Sequence, residues 1–344
     1  MRIGILTGGG DAPGLNAAIR AVARPAVGGA HTVVGIHNGW AGLVGSGEWS
    51  DLARRELSGI LQVGGTVLGS SRTNPMKMEG GLETVQQNIR RAELDALVAI
   101  GGDDTLSVAA WLAEHGAPVV GVPKTMDNDL AVTEYCIGFD TAVSIVTEAV
   151  DRLHTTAMSH HRVMVCEVMG RDTGWVAVMG GLAGGADMIV IPEFPVSMDE
   201  VVEHLHRRRA GGSEFSIIVV SEGVEMEGLG RKEDSSGQRD AFGHVQLSRR
   251  GVGERLAALI EERTGFETRA TVLGHTQRGG TPSAYDRIWA TRVGYGAWEL
   301  LSRGEFGRMP VVRCGAVDVA PIRDVVAETR RVPRELYDLA TVFF

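Results

Sequence analysis

The sequence has little cysteine, and its cysteines show no pairing pattern. Cys136, Cys166 and Cys314 are the only three in a chain of 344 residues. They lie far apart, so they lack the paired spacing of a zinc site, and an odd number cannot all form disulfides within one chain. We therefore expect three buried free thiols in a protein from a reducing compartment.

Long apolar runs and an excess of positive charge are also missing. The chain contains no run of ~18 apolar residues, and the apolar part of its first ten residues is too short for a signal peptide. Its 34 Lys and Arg against 43 Asp and Glu give a net charge of −9. This balance argues against a nucleic-acid or membrane partner, although a local cluster of cations can still bind an anionic substrate. We expect a soluble, cytoplasmic protein.

The length and the pattern of apolar residues indicate two domains of one class. A chain of 344 residues is long for a single domain and can bury two cores. Short apolar runs typical of buried strands alternate with helical patterns, as in residues 2–7 followed by 15–27, and 163–168 followed by 174–182. Such alternation predicts an α/β fold with two doubly wound parallel sheets. The polar segment 224–250 interrupts the alternation and is interpreted as a long surface excursion.

Two glycine-rich segments follow predicted strands near the N-terminus. Residues 8–14, GGGDAPG, precede a predicted helix, so their backbone could approach a phosphate at the helix N-terminus. The segment is neither a P-loop nor a G-x-G-x-x-G motif, and a plain strand-to-helix turn is the alternative. Residues 64–72 end in Arg72, which could reach the same phosphate or could form an ordinary surface ion pair.

Acidic residues dominate the next two segments. Asp103 and Asp104 follow Gly101-Gly102 at the end of a predicted strand, where two carboxylates suit Mg²⁺. The alternative is an acidic start to the following helix. In the segment 123–129, Lys124, Asp127 and Asp129 stand in a stretch that we do not expect to be helical. A carboxylate there, within hydrogen-bond reach of a sugar hydroxyl, is a candidate general base.

Polar residues follow the predicted strands of the second half as well. Taken singly, His275 or Glu222 would most often be structural. The positions that stand out are Met169-Gly170-Arg171, Ser221-Glu222-Gly223, Arg269 and the segment GHTQRGG at 274–280.

Taken together and in order, these motifs resemble those of the bacterial 6-phosphofructokinases. The likeness covers residues 3 to about 300 and rests on GGGDAPGLNAAIR, GGTVLGSSR, GGDDT, PKTMDNDL, EVMGR, SEG, TRATVLGHTQRGG and YDR. It implies a phosphofructokinase-like pair of α/β domains with the active site in the cleft between them. Residues 1–138 plus about 277–327 would bind the phosphoryl donor. Residues 139–276 plus the C-terminal tail would bind fructose 6-phosphate.

The resemblance also implies a role for each site residue. Asp127 would take the proton from the 1-hydroxyl of fructose 6-phosphate, and Thr125 and Asp129 would position that end of the sugar. Residues that would bind the rest of the sugar phosphate are Met169, Gly170, Arg171, Glu222, His275 and Arg278.

Two further sugar-site residues, Arg162 and Arg269, would come from a neighbouring subunit, which implies a homodimer or homotetramer. Gly10, Arg72 and Asp103 would serve the donor and its Mg²⁺. The regulatory pocket of allosteric relatives is basic, whereas this chain has His154 and Gly211-Gly212-Ser213 at two of its basic positions. We therefore expect a weak response to ADP or phosphoenolpyruvate.

Asp104 and Lys124 bear on the identity of the donor. ATP-using relatives have glycine in place of Asp104 and commonly in place of Lys124. Two like charges ~4 Å apart cost about 4 kcal/mol at an effective dielectric near 20, so Asp104 would disfavour the α-phosphate of ATP. The pair, together with the long excursion, resembles the diphosphate-dependent branch of the family.

Three other interpretations remain open at this stage. One is an ATP-dependent enzyme with the same sugar site. Another is a non-catalytic sugar-phosphate sensor, which would be expected to lose Asp127 or Asp103. The third is an NAD or lipid kinase with a GGDG-type motif, which would leave GHTQRGG and EVMGR unexplained.

Overall fold

The protein was studied as a computed structural model, which describes residues 1–45, 47–52, 57–229 and 251–344. The chain divides into two compact units. Unit 1 contains residues 1–141 and 278–330, and unit 2 contains residues 142–277 and 331–344. Most of the predicted surface excursion, residues 230–250, lies outside the described residues.

Unit 1 is built on a five-stranded sheet with the strand order β3-β2-β1-β4-β5. Adjacent strands of this sheet pair in parallel, except that β3 pairs antiparallel with β2 at one edge. Strand β4 is buried at every residue, as expected for a strand covered on both faces. The strands are β1 (Arg2–Thr7), β2 (Thr32–Ile36), β3 (Trp49–Asp51), β4 (Ala96–Gly101) and β5 (Val119–Pro123).

The order of these strands locates the region where a ligand is expected. The chain moves from β1 to β2 on one side and later to β4 on the other side of β1. The loops after β1 and β4 therefore diverge at the carboxyl end of the sheet, and such switch points are where open α/β sheets bind ligands. The glycine-rich segments 8–14 and 101–105 follow these two strands.

Helices and a hairpin complete unit 1. The helices are α1 (Leu15–Gly28), α2 (Ala41–Val44), α3 (Gly81–Arg91), α4 (Asp103–Glu114), α9 (Ala284–Arg303) and α10 (Ile322–Val325). Strands β10 (Arg308–Arg313) and β11 (Ala316–Pro321) pair antiparallel. Helix α5 (Phe139–His160) begins in unit 1 and continues into unit 2.

The hairpin corrects one expectation about the cysteines. Cys136 and Cys166 are buried free thiols, as predicted, but Cys314 is exposed. It occupies a two-residue turn with Gly315, and both residues have positive φ, 48° and 71°. This conformation matches a type I′ turn, which suits the twist of a hairpin and leaves its tip in solvent.

Unit 2 repeats the architecture on a smaller scale. Its four strands are all parallel, in the order β7-β8-β6-β9. They are β6 (Val163–Val168), β7 (Met188–Val190), β8 (Ser216–Ser221) and β9 (Thr268–Val272). The connection from β6 runs towards β7 and the one from β8 runs the opposite way to β9, so the loops after β6 and β8 diverge. The helices are α6 (Trp175–Gly184), α7 (Met198–Ala210), α8 (Val252–Thr264) and α11 (Arg334–Thr341).

The parallel sheets confirm the predicted α/β class, and the differences are local. Helix α4 begins at Asp103, because Gly102 serves as its N-cap and acidic residues suit the first turn. Helix α5 continues to His160, since Ala157 extends its buried stripe. The short strand β3, the hairpin, α10 and α11 were not predicted. In the ranges that the structure describes, no helix is long and apolar enough to cross a bilayer.

A buried carboxylate joins the start of α5 to α9. Asp286 has no exposed surface, and its two oxygens accept four hydrogen bonds. The donors are the Tyr135 hydroxyl at 2.5 Å, the Gly138 N–H at 2.6 Å, and the N–H and hydroxyl of Thr141 at 2.8 and 2.5 Å. Since each buried donor would be costly to leave unpaired, Asp286 determines the path of residues 135–141.

We expect Asp286→Asn to lower the free energy of unfolding by about 2–4 kcal/mol, because the amide nitrogen would face N–H and O–H donors. Tyr135→Phe, which removes one donor and leaves the carboxylate intact, should cost only about 1 kcal/mol. Urea unfolding followed by circular dichroism measures both. Equal midpoints for Asp286→Asn and the parent protein would contradict the role given to this carboxylate.

Candidate active site

The glycine-rich loop after β1 lies in close contact with neighbouring elements of unit 1. The Gly8 N–H donates to the Ile100 carbonyl of β4 at 3.0 Å. A Cβ on Gly8 would lie 2.5 Å from Oγ1 of Thr105, and one on Gly10 would lie 2.7 Å from Nη1 of Arg278. A side chain at Gly8 would therefore collide with Thr105, whereas one at Gly10 would require the end of the Arg278 side chain to shift.

Lys124 is buried against this loop at the end of β5. Its side chain is 3% exposed, and Nζ donates to the carbonyls of Gly8 at 3.0 Å and Gly10 at 2.5 Å. Burial, helped by the nearby Arg278 guanidinium, lowers the pKa of Lys124 to about 7, while Asp11 and Asp127 act in the opposite direction. Near neutral pH this group can therefore gain a proton when an anion approaches.

Three predicted carboxylates lie near one another next to Lys124. Burial raises the pKa of Asp129, and the charges of Asp127 and Asp103 raise it further, while hydrogen bonds to its own backbone and to Thr125 partly oppose them. Thr125 also accepts a hydrogen bond from the Asp127 N–H at 3.1 Å. Crowded carboxylates of this kind are stabilised by a cation or by a shared proton.

Asp103 and Asp104 occupy the first turn of α4. The N-cap residue of this helix is Gly102, which has no side chain that could cap the first N–H groups. The N-terminal end of the helix dipole favours both negative charges. Ser107, one turn later, hydrogen-bonds to the side chain of Asp103. The acidic helix start that the sequence left as an alternative is therefore present, in addition to any role in binding.

The segment that carries Arg72 lies along the glycine loop. The Gly9 N–H donates to the Ser71 carbonyl at 3.2 Å, and the Ser70 hydroxyl donates to the Gly9 carbonyl. Arg72 itself is exposed. Asn16, a buried residue of α1, hydrogen-bonds to the segment nearer its start, at Val63 and Val67. No feature of the sequence indicated this role.

In unit 2, two loops meet at the carboxyl ends of β6 and β8. The Gly170 carbonyl accepts hydrogen bonds from the Ser221 hydroxyl at 2.5 Å and from the Gly223 N–H at 3.0 Å. Gly170 has φ 142°, which favours glycine, and a Cβ there would lie 2.6 Å from the Thr173 carbonyl. The structure therefore brings Met169–Arg171 and Glu222 to one place.

His275 and Gln277 lie in the 3₁₀ segment Gly274–Arg278 after β9. Gln277 is fully buried, and its Oε1 accepts the Met169 N–H at 3.3 Å. His275 is exposed. The Nε atom of Arg171 is buried and, within the described parts of the chain, has no hydrogen-bond partner, which is consistent with an anionic or polar ligand at this position.

Arg162 and Arg269 stand apart from these loops. Arg162 directly precedes β6, and Arg269 is the second residue of β9, so both lie near the amino end of the sheet. They bind the same carboxylate, that of Glu267, at 2.9 and 2.7 Å. A strand of six residues spans roughly 20 Å, so within one chain these two arginines lie far from Met169 and Glu222.

Apart from Arg162 and Arg269, which form a group of their own, most of the predicted site residues fall into two groups. In unit 1, contacts or charge interactions link Gly10, Lys124, Arg278, Asp127, Asp129, Thr125 and Asp103. In unit 2, Met169, Gly170, Arg171, Glu222 and His275 follow three neighbouring strands. The buried side chains that hold these loops, Asn16, Ser221, Gln277 and Asp286, were not selected. Each lies in a motif quoted above, but its sequence gives no sign of its hydrogen-bond partners.

The carboxylates of unit 1 provide oxygen atoms suited to a hard divalent cation. A three-residue cage of His, Cys, Asp or Glu side chains was not found among the described residues. Mg²⁺ does not need such a cage, because it keeps several waters and takes one or two carboxylates together with phosphate oxygens. The exposed Asp103, with Asp127 and Asp129 near it, fits that mode of binding.

Known proteins resemble this chain over nearly its full length. The chain is 54% identical over 346 residues to the pyrophosphate–fructose 6-phosphate 1-phosphotransferase of Amycolatopsis methanolica, covering 100% of both chains. It is 45% identical to ATP-dependent 6-phosphofructokinase 3 of Streptomyces coelicolor, covering 98% of each. Among solved structures, phosphofructokinase from Saccharomyces cerevisiae matches 99% of this chain with a TM-score of 0.77 and 31% identity, although the chain spans only 46% of that yeast chain. A sequence model of the phosphofructokinase family matches residues 2–301, and the chain thus belongs to the phosphofructokinase family.

Proposed function

We propose that this protein transfers a phosphoryl group from diphosphate to the 1-hydroxyl of fructose 6-phosphate, reversibly, in the cytoplasm, as a step of glycolysis. The main observation behind the proposal is that the buried ammonium group of Lys124 hydrogen-bonds to the glycine loop, which would hold the donor. The full-length similarity to a diphosphate-dependent relative supports the same donor. ATP is the second candidate, because an ATP-dependent relative is 45% identical.

The choice of donor follows from charge and size. Diphosphate is short and densely charged, and a cation beside the reacting phosphates stabilises both the donor and the departing phosphate. Lys124 provides that cation. Asp104, in the first turn of α4, would repel the α-phosphate of ATP, whereas diphosphate has no group that extends so far.

Asp127 is proposed as the general base. Its carboxylate would take the proton of the 1-hydroxyl as that oxygen forms a bond to phosphorus, while the bridging P–O bond of diphosphate breaks and phosphate leaves. Asp129 and Thr125 would hold the hydroxyl in line. The raised pKa of Asp129 makes this carboxyl a possible hydrogen-bond donor near neutral pH, which suits a positioning role.

Mg²⁺ is the proposed cofactor. It would be held by Asp103 and by oxygens of the bound diphosphate, with Asp127 and Asp129 nearby. When bound, the ion would neutralise part of the donor's charge. Gly10 and Arg72 would hold the donor through backbone and guanidinium groups.

The residues of unit 2 are proposed to bind the sugar phosphate. Met169, Gly170, Arg171 and Glu222 would contact the sugar hydroxyls, and His275, together with Arg278 of unit 1, would bind the 6-phosphate. Arg162 and Arg269 lie at the other end of the sheet from these residues, so we propose that they complete the site of a neighbouring subunit in a homodimer or homotetramer.

We expect the purified enzyme to use diphosphate, and Asp104→Gly to raise kcat/KM for ATP by about 10- to 1000-fold, because up to ~4 kcal/mol of repulsion is removed. Asp104→Asn, which keeps the shape and removes the charge, should recover much of the same gain. Steady-state assays with each donor measure both variants. A parent enzyme that is robust with ATP and inactive with diphosphate would overturn the donor assignment and leave the family assignment intact.

We expect the pH profile of the enzyme to depend on Lys124. With a pKa of about 7 in the donor-free protein, the ammonium is present below this pH and is lost as the pH rises through it. Since kcat/KM reports groups of the free enzyme, its value for diphosphate should fall above neutrality. In Lys124→Arg, whose charge persists, this fall should be absent, and Lys124→Met should be slow at every pH. Parallel profiles for the parent and the arginine variant would argue against this assignment.

We expect Asp127→Asn to lower kcat by about 10²- to 10⁴-fold while fructose 6-phosphate still binds, because the amide cannot accept the proton. Calorimetry measures the binding and a coupled assay measures the turnover. Asp95→Asn, at the amino end of β4 in the same unit, serves as the control and should leave turnover unchanged. If Asp127→Asn retained more than about a tenth of the parent turnover, another residue would have to be the base.

A further inference from the structure

The segment that leads to Arg72 has no regular structure of its own. Residues 61–74 contain neither a helix nor a strand. Without a ladder of backbone hydrogen bonds, such a segment is placed by the side chains that bind its backbone. The position of Arg72 relative to the glycine loop therefore depends on these contacts.

Asn16 makes three of these contacts with one amide group. Its Nδ2 donates to the carbonyls of Val63 at 3.0 Å and Gly64 at 3.3 Å, and its Oδ1 accepts the Val67 N–H at 2.8 Å. Asn16 is the second residue of α1 and has no exposed surface. It thus joins the front of the segment to the helix that begins at the end of the glycine loop.

The far end of the segment is bound to the loop itself. The Thr7 hydroxyl donates to the Gly69 carbonyl at 2.8 Å, and the Gly9 N–H donates to the Ser71 carbonyl at 3.2 Å. Gly64 also approaches the backbone of Gly280, where an added Cβ would lie 2.1 Å from the carbonyl oxygen. The segment is therefore bound at both ends, and among these contacts the Asn16 amide holds its front, residues 63–67.

From this geometry we infer that Asn16 is a positioning residue for the phosphoryl donor: its amide fixes residues 63–67 and thereby the place of Arg72 beside the glycine loop. Asn16 does not itself contact the donor. The inference rests on the proposed function, because it assumes that the glycine loop and Arg72 bind diphosphate.

The nearly isosteric change Asn16→Asp separates the positioning role from simple packing. The carboxylate can still accept the Val67 N–H, but it has no N–H and would face the carbonyl oxygens of Val63 and Gly64. The front of the segment should move away while the side-chain volume is preserved. Asn88→Asp is the matched control, because the Asn88 amide also donates to a backbone carbonyl, that of Leu43 at 2.7 Å, and it belongs to α3 of the same unit.

The test is steady-state kinetics on the full-length enzyme with both substrates varied. For Asn16→Asp we expect KM for diphosphate to rise about 10- to 100-fold, as for one or two lost hydrogen bonds, with KM for fructose 6-phosphate within about twofold of the parent. Asn88→Asp should leave both KM values unchanged. Equal rises in both KM values, or an unchanged KM for diphosphate in a folded Asn16→Asp, would overturn the inference.

Two further measurements cover the remaining outcomes. Should Asn16→Asp fail to fold, Asn16→Ser takes its place, and hydrogen exchange of residues 63–72 is compared between this variant and the parent enzyme. Faster exchange throughout residues 63–72 in the variant supports the inference, and unchanged exchange at residues 68–72 overturns it. If the parent enzyme is inactive with diphosphate, only the proposed donor is contradicted. In that case KM for ATP in Asn16→Asp and in the control Asn88→Asp decides the role of Asn16.

Discussion

Lys124 is buried, with only 3% of its surface exposed to solvent. A buried cation is unfavourable unless acceptors surround it, and here they are the carbonyls of Gly8 and Gly10. The same loop packs closely on Thr105 of α4, where a side chain at Gly8 would collide. The burial of Lys124, its lowered pKa and the close packing of the glycine loop are therefore parts of one arrangement.

The same arrangement depends on the topology of the sheet in unit 1. Loops after β1 and β4 diverge at the switch point, and β5 brings Lys124 to the same edge. Unit 2 repeats this plan, with Met169–Arg171 after β6 and His275 after β9. In both units the functional loops are held by buried polar side chains, Asn16 in the first and Ser221 and Gln277 in the second. The residues that would contact ligands are thus separate from those that position them.

The positions of Arg162 and Arg269 in the unit 2 sheet limit what these side chains can reach within one chain. Both lie at the amino end of the unit 2 sheet and share Glu267. The loops that carry Met169 and Glu222 lie at the carboxyl end. If both groups bind the sugar phosphate as proposed, they would have to do so from different chains, so the proposed sugar site and the proposed assembly of subunits depend on each other.

The sequence by itself determined the α/β class, most strands and helices, and the order of the motifs, because apolar periodicity and glycine clusters are local properties. It missed β3 and the hairpin, which are short or depend on antiparallel partners, and it placed Cys314 in the core although it lies at the tip of a turn. Only the tertiary structure decided that Lys124 is buried, that Asp129 is crowded by Asp127 and Asp103, and that Asn16 holds the Arg72 segment. The contacts of Asn16 and Lys124 join residues about 50 to more than 100 positions apart, and Asp129 meets Asp103 only because β4 and β5 are neighbours in the sheet. A spacing pattern along the chain carries no information about such contacts.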